Sequence, residues 1–385
     1  MLRLLEQFCL EEKKRNFLEK LFNLVLLFKL APRSIPPFKL DKIKKILIIR
    51  NDNIGDLICS SATFAAIRTA LPKVHLALLI QDKTKAIVQY NHHVNKIYSY
   101  VKPKEGKNIF QRIGYALKKI NILKEIRKEN FDLCLSLKSD FSFSQGVLSF
   151  VSGARYRLGH FPHKKRDLKY AFLQNIYVKD SRTSLTEVER CFNFLRTINI
   201  STKTATLCVH IPTEILEGTQ VFLEANKIDT FIAIHIFSKR DNGLWNEKAM
   251  ISLIKKIEKK FNLPIFLTYP DSASERVRRI SEQMAGSHIY FISTPTMLHL
   301  GVILKRSLLY ISPEGGQVHL SSALKVPTIA LFFREASLLG WEPWSDQTKV
   351  LMITDKNKGS MIKEIIELAA KHLDHTIKGK ACAPS

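Results

Sequence analysis

Acidic residues are scarce in this 385-residue chain: 35 Asp and Glu stand against 60 Lys and Arg, a formal charge of +25. So basic a balance implies an anionic partner, which is nucleic acid, an acidic membrane surface or a phosphorylated substrate. No RNA- or DNA-binding motif and no aromatic platform stands within the basic stretches, so no nucleic-acid partner is expected. Cysteine is sparse as well. The six are Cys9, Cys59, Cys134, Cys191, Cys208 and Cys382, and none falls in CxxC spacing. They read as reduced, mostly buried thiols of a cytosolic chain, not as a disulfide framework or a zinc site. With 15 Gly and 14 Pro, low-complexity sequence is excluded. No uncharged apolar run reaches the ~20 residues of a spanning helix. The amino terminus lacks the basic, apolar and small-residue order of a signal peptide. Its apolar stretch, "FLEKLFNLVLLFKLA", is interrupted by Glu19, Lys20 and Lys29. It reads as an amphipathic helix that either packs against the protein body or lies on an acidic leaflet. "APRSIPPF" then breaks the helix.

What is present is a regular alternation. The hydrophobic fraction of 45% and the length suit two domains with separate cores. "KILIIR" is a buried strand by its continuous β-branched run, and "LICSSATFAAIRTAL" is a helix stopped by Pro72. "VHLALLI", "NKIYSYV" and "FDLCLSL" are further strands, the last preceded by a helix over 111–129. "YRLGHFPHKKRDLKY" reads as a loop or lid. After the helix "TEVERCFNFLRTINI", a less regular polar region over 201–229 marks the domain boundary. The scheme then restarts with "FIAIHIF", "PIFLTY", "HIYFIS", "LLYIS" and "TIALFF" as strands between helices. Such alternation predicts an α/β protein with two parallel sheets covered by helices, and a cleft at the carboxyl ends of the strands. The expected division is an amphipathic extension over 1–43, domains over 44–215 and 225–356, and a C-terminal helix and tail over 357–385.

Three strand–helix junctions carry chemistry. In "SPEGGQVHLSSALKVPTIALFF", Glu314, Gly315 and Gly316 form a turn at which glycine lets backbone approach a ligand. Free amides at the following helix start favour an anion such as a diphosphate. His319 lies about one turn into that helix, where it either donates to a phosphate oxygen or packs beneath the turn. In "IIRNDNIGDLICSSA", Gly55 and Asp56 sit where a helix begins. Asp56 is either an N-cap, with Asp52 and Asn53 as rivals, or a general base at the cleft. In "HIFSKRDNGLW", Ser238, Lys239 and Arg240 follow a strand end, where cations neutralise a leaving diphosphate or are simply solvated.

Together these stretches resemble glycosyltransferase family 9, the lipopolysaccharide heptosyltransferases. The "IGD" turn after a first strand, the late "EGGQVHLSSALKVPTIALFF", the "GARYRLGH" element and the "RDNGLW" loop follow the family's order over residues 44 to 344. The resemblance implies a GT-B fold of two Rossmann-like domains with parallel sheets facing an interdomain cleft. It implies metal-independent, inverting transfer of a heptose from an ADP-activated donor to the lipopolysaccharide core, through an oxocarbenium-like state and with no cofactor. Carried over by position, Asp56 becomes the base that deprotonates the acceptor hydroxyl. Gly315, Gly316 and His319 become the holders of the donor diphosphate. Ser238, Lys239, Arg240 and Glu314 complete the donor side, and Asn53 and Gly55 stand on the acceptor side. The acidic, phosphorylated glycolipid acceptor accounts for the charge. It also implies a cytoplasmic protein that meets the inner face of the inner membrane. Three positions depart from the family pattern: Glu314 replaces an aspartate, Gly315 a Thr or Ser, and Gly243 a cation. The longer carboxylate at Glu314 and the missing cation at Gly243 touch the donor site, so the alternatives are another nucleotide-activated sugar, such as a hexose or N-acetylhexosamine, or a non-catalytic member.

Overall fold

The structure is a computed structural model, and it describes residues 37–102, 109–178, 185–202, 206–238, 246–284, 288–357 and 359–381. The proposed amphipathic segment before residue 37, and Lys239, Arg240 and Gly243, lie outside the described residues.

The first half runs β1 (Lys45–Arg50), α1 (Ile54–Ala70), β2 (His75–Gln81), α2 (Lys85–Val88), β3 (Lys96–Tyr100), α3 (Ile109–Lys128) and β4 (Leu133–Ser136). It continues through α4 (Phe143–Val151), β5 (Tyr156–Gly159), β6 (Ile176–Tyr177) and α5 (Glu187–Thr197). The second half holds α6 (Thr213–Ala225), β7 (Ile232–His235), α7 (Glu247–Phe261), β8 (Ile265–Tyr269), α8 (Ser274–Ser281) and β9 (Ile289–Ser293). It ends with α9 (Met297–Arg306), β10 (Leu309–Pro313), α10 (Gly316–Ala323), β11 (Thr328–Phe332), α11 (Glu335–Trp341), β12 (Thr348–Met352) and α12 (Met361–Ala381).

The strands form two six-stranded sheets, ordered β3-β2-β1-β4-β5-β6 and β12-β11-β10-β7-β8-β9. Every pairing is parallel. Read from β7, the second order is the first one repeated, so the chain winds the same doubly-wound sheet twice. Parallel strands are covered on both faces, which is why Ile46 to Ile49, the middle of "KILIIR", form an unbroken apolar run. Ile46 and Ile48 enter one core, and Leu47 and Ile49 enter another on the opposite face. The core that holds Ile46 continues through α1 and α5 to Phe231, Phe266 and Leu298, and so spans both halves. Helix α12 closes the second core with Met361, Ile365, Ala369 and Leu373, one buried residue every four.

Each sheet changes winding direction once, between β1 and β4 and between β7 and β10. Ligands of doubly-wound sheets bind outside the carboxyl ends of the strands at this point. The "IGD" turn leaves β1 and the "EGG" turn leaves β10, so both candidate sites occupy a switch point.

Two expectations need correction. The "YRLG" of the expected loop is β5, paired between β4 and β6. It is four residues long, too short to show alternation, and its Arg157 stays in place by donating to the Leu173 carbonyl at 2.9 Å. The polar region over 201–229 contains α6, whose 3.6-residue period is blurred by Gly218 and Thr219.

Candidate active site

Arg50 is the last residue of β1 and is 1% exposed. An apolar strand that ends on a buried guanidinium must supply it with acceptors. One Nη donates to the Leu137 carbonyl. The other donates to Asp56 Oδ1 at 3.1 Å and to the Glu187 carboxylate. Asp52 Oδ2 lies 3.8 Å away, and its Oδ1 is paired with Lys138 Nζ at 3.3 Å. Glu187 opens α5 and is 2% exposed. Burial alone would weaken the guanidinium's hold on its proton, but Glu187 foremost, then Cys191, Asp56 and Asp52, reverse this and raise its pKa.

Asn53 is the N-cap of α1, and Asp56 is the third helical residue. The Asn53 amide donates to Asp56 Oδ2 at 3.1 Å. Of the residues weighed for the cap, Asn53 takes it, and Asp56 makes the reciprocal contact from the third position while its other oxygen faces Arg50. Burial raises the Asp56 carboxyl above the ordinary aspartate value, Arg50 pulls it back, and Asp52 and Glu187 raise it again. Its side chain keeps 13% exposure. The result is a held carboxylate, tethered by one cation and open on one side, with raised proton affinity.

The two turns meet. A Cβ built on Gly55 would lie 3.1 Å from His319 Cδ2 and 3.4 Å from Gly316 Cα. One built on Gly316 would lie 3.3 Å from the Gly55 nitrogen. Only residues without side chains let the first turns of α1 and α10 approach so closely. Two helix N-termini, one from each sheet, thus converge, and their dipoles favour an anion there. Gly315, the N-cap of α10, offers no side-chain acceptor to those amides.

His319 is buried between Gly55 and Trp341, whose ring centroid is 5.8 Å from its own. Burial lowers its pKa to about 4, so it is a neutral imidazole at pH 7. Its Nδ1 is buried without a hydrogen-bond partner. Glu314, 5% exposed, has Oε1 without a hydrogen bond and 4.0 Å from Arg334 Nε. Ser238 lies three residues beyond β7 and is half-buried.

Sequence reasoning singled out Asn53, Gly55, Asp56, Gly316 and His319, and the structure brings these together. It did not single out Arg50 or Glu187. The signal for both was available: a cation closing an apolar strand, and an acid opening an amphipathic helix. A polar recess beside the cluster was also missed. It is lined by Ser136, Asp140, Ser142, Gln145, His160 and Gln174. Gln145 Nε2 donates to Asn51 Oδ1 at 2.9 Å, which ties the recess to the residues after β1. Gln145 Oε1 and His160 Nε2 have no hydrogen-bond partners.

Known proteins share this architecture. A crystal structure of a family 9 glycosyl transferase from Veillonella parvula superposes with a TM-score of 0.73 at 17% identity, over 86% of this chain and 97% of that one. An E. coli heptosyltransferase with ADP superposes at 0.67 and 14% identity, over 85% and 99%. In sequence, the lipopolysaccharide heptosyltransferase 1 of Campylobacter coli is 24% identical over 305 residues, 75% of this chain and 83% of that protein. The family model for glycosyltransferase family 9 (heptosyltransferase) matches residues 120–369. With two doubly-wound sheets of the GT-B kind and a match over most of its length, the chain belongs to glycosyltransferase family 9.

Proposed function

We propose that this glycosyltransferase moves a heptose from an ADP-activated donor to the core oligosaccharide of lipopolysaccharide, with inversion. The observation that carries the reading is the convergence of the α1 and α10 N-termini beside a tethered carboxylate. The donor diphosphate lies against the backbone amides of Gly315 and Gly316. His319 adds a neutral hydrogen-bonding group there, not a charge. Glu314 accepts from donor hydroxyls, since a buried carboxylate can only accept. On the resemblance to the family, Ser238, Lys239 and Arg240 serve the donor, and the two cations offset charge on the leaving diphosphate.

The acceptor enters past Asn53 and Gly55, from the side of the Gln145–His160 recess. Asp56 takes the proton of its hydroxyl as the oxygen attacks the anomeric carbon and the diphosphate leaves from the opposite face. Arg50 holds the carboxylate in place, and burial keeps its proton affinity up. The net charge of +25 suits a phosphorylated glycolipid at the inner membrane surface. Among the described residues no helix is long and apolar enough to cross a membrane. Residues 1–29 supply the surface contact.

Incubation with ADP-heptose and a deacylated core acceptor is expected to add one heptose mass to the acceptor. Deleting residues 1–29 is expected to leave that rate unchanged and to lower sedimentation with anionic vesicles. A mass gain only from a uridine-activated hexose would replace the sugar while keeping the site, an outcome to which Glu314 and Gly243 draw attention. No mass gain from any donor would sink the catalytic reading.

The close approach of the turns gives a second expectation. Gly55→Val is expected to weaken ADP binding about tenfold, or about 1.4 kcal/mol, and to cost about 1–3 kcal/mol in stability through overpacking. Gly114→Ala is the control, since a Cβ there meets nothing within 4 Å. Calorimetry and thermal melting check both. Unchanged ADP affinity in Gly55→Val would mean that the two turns do not form one site.

A further inference from the structure

The turn after α2 carries His92 and His93, and the extended segment leading into α6 carries Cys208. Far apart in sequence, their donor atoms all lie within 4.8 Å of one another. A tetrahedral zinc with bonds of about 2.1 Å to nitrogen and 2.3 Å to sulfur holds its ligands roughly 3.5 Å apart. Small side-chain rotations close the remaining gap.

The backbone around the cluster is fastened on both sides. Asn91, 4% exposed, accepts from the His93 amide at 3.0 Å and donates to the Cys208 carbonyl at 3.5 Å. Cys208 N–H donates to Ser61 Oγ at 2.8 Å. Arg68 donates to the His93 carbonyl at 2.9 Å, and its remaining contacts go to Pro72, Val74 and Asn95. The buried Leu207 and Val209 bracket Cys208 and turn it to the other face of the segment. None of these bonds uses the imidazole nitrogens or the thiol. The two rings sit 4.0 Å apart between centroids, and His93 Nδ1 is buried with no hydrogen-bond partner. His92 is exposed, which gives a cation an entry path and leaves a fourth position to water.

We propose that His92, His93 and Cys208 form a zinc-class metal site that fastens the α2–β3 turn to the segment connecting the two halves. Two imidazoles and one thiolate select a borderline or soft cation such as Zn(II), whereas Mg²⁺ and Ca²⁺ require oxygen ligands. On binding, the Cys208 thiol gives up its proton to solvent and the sulfur bonds the metal, with no change of oxidation state. The site takes no part in sugar transfer, and its fate is independent of the functional reading above.

The test is a titration of chelator-treated, full-length protein with Co(II), followed by Zn(II). The expected result is one equivalent of cobalt, a near-ultraviolet thiolate-to-cobalt charge-transfer band, and displacement by zinc. Cys208→Ser is expected to abolish the band. His92→Ala, a change at an exposed residue, is expected to weaken cobalt binding by at least about tenfold. It decides the question should the cysteine variant fail to fold. A variant with Cys9 and Cys382 replaced by serine keeps the band. No band in the wild-type protein, a band that survives Cys208→Ser, or unchanged affinity in His92→Ala would overturn the proposal.

Discussion

Asp56→Asn is expected to lower kcat by about 10²- to 10⁴-fold, the usual worth of a positioned general base, with ADP affinity unchanged. The amide cannot take a proton, but its oxygen can still accept from Arg50 or from the Asn53 amide, the two partners Asp56 has now. The wild-type carboxyl titrates above its ordinary value of 3.8, chiefly because it is buried. The acid limb of kcat/KM in the wild-type enzyme therefore lies above that value and disappears in the variant. The stability sign is opposite to that of an ordinary salt-bridged aspartate. With the folded value raised, the unfolded chain ionises more readily, and stability from this group falls as pH rises through the ordinary value and up to the raised one. Removing the charge should cost less than about 1 kcal/mol, as for a change that leaves no cavity. Unfolding of the variant, or normal turnover, would reduce Asp56 to a cap and move the base elsewhere.

Arg50→Met is expected to be the most destabilising single change in the first sheet. Arg50 is the common partner of Glu187 and Asp56, with Asp52 at 3.8 Å. Methionine fills much of the same volume but leaves Glu187, 2% exposed, with Arg190 at 3.4 Å as its one cation among the described residues. Breaking a buried ion pair from one side typically costs 3–5 kcal/mol, because the remaining charge stays buried without its counterion. Urea unfolding should register that loss. The double change Arg50→Met, Glu187→Leu should recover about half of it or more, since neither charge is then stranded. A loss under about 1 kcal/mol for the single variant would mean that water reaches the cluster and the carboxylates need no counterion.

The fold was legible where runs were long and apolar. "KILIIR", "VHLALLI" and "TIALFF" are continuous because parallel strands are buried on both faces. β5 and α6 were missed for local reasons: four residues cannot show a period, and a glycine beside a threonine hides one. The two turns were legible as separate motifs because glycine and aspartate at a strand–helix junction are visible in any chain. That they touch was not legible, since Gly55 and Gly316 meet only through the tertiary arrangement. Arg50 and Glu187 lie 137 positions apart, and nothing local pairs them. Cys208 was set aside on cysteine spacing alone, yet its neighbours in space are histidines from another segment.

The central claim is that the paired helix N-termini bind an adenosine-diphosphate sugar. Calorimetric titration of purified protein with ADP, ADP-heptose, UDP and UDP-hexoses tests it most directly. The expected result is 1:1 binding of the two adenine ligands, no heat from the uridine set, and weaker adenine binding in Gly55→Val. Preference for uridine ligands, or ADP binding as tight in Gly55→Val as in the wild type, would contradict it.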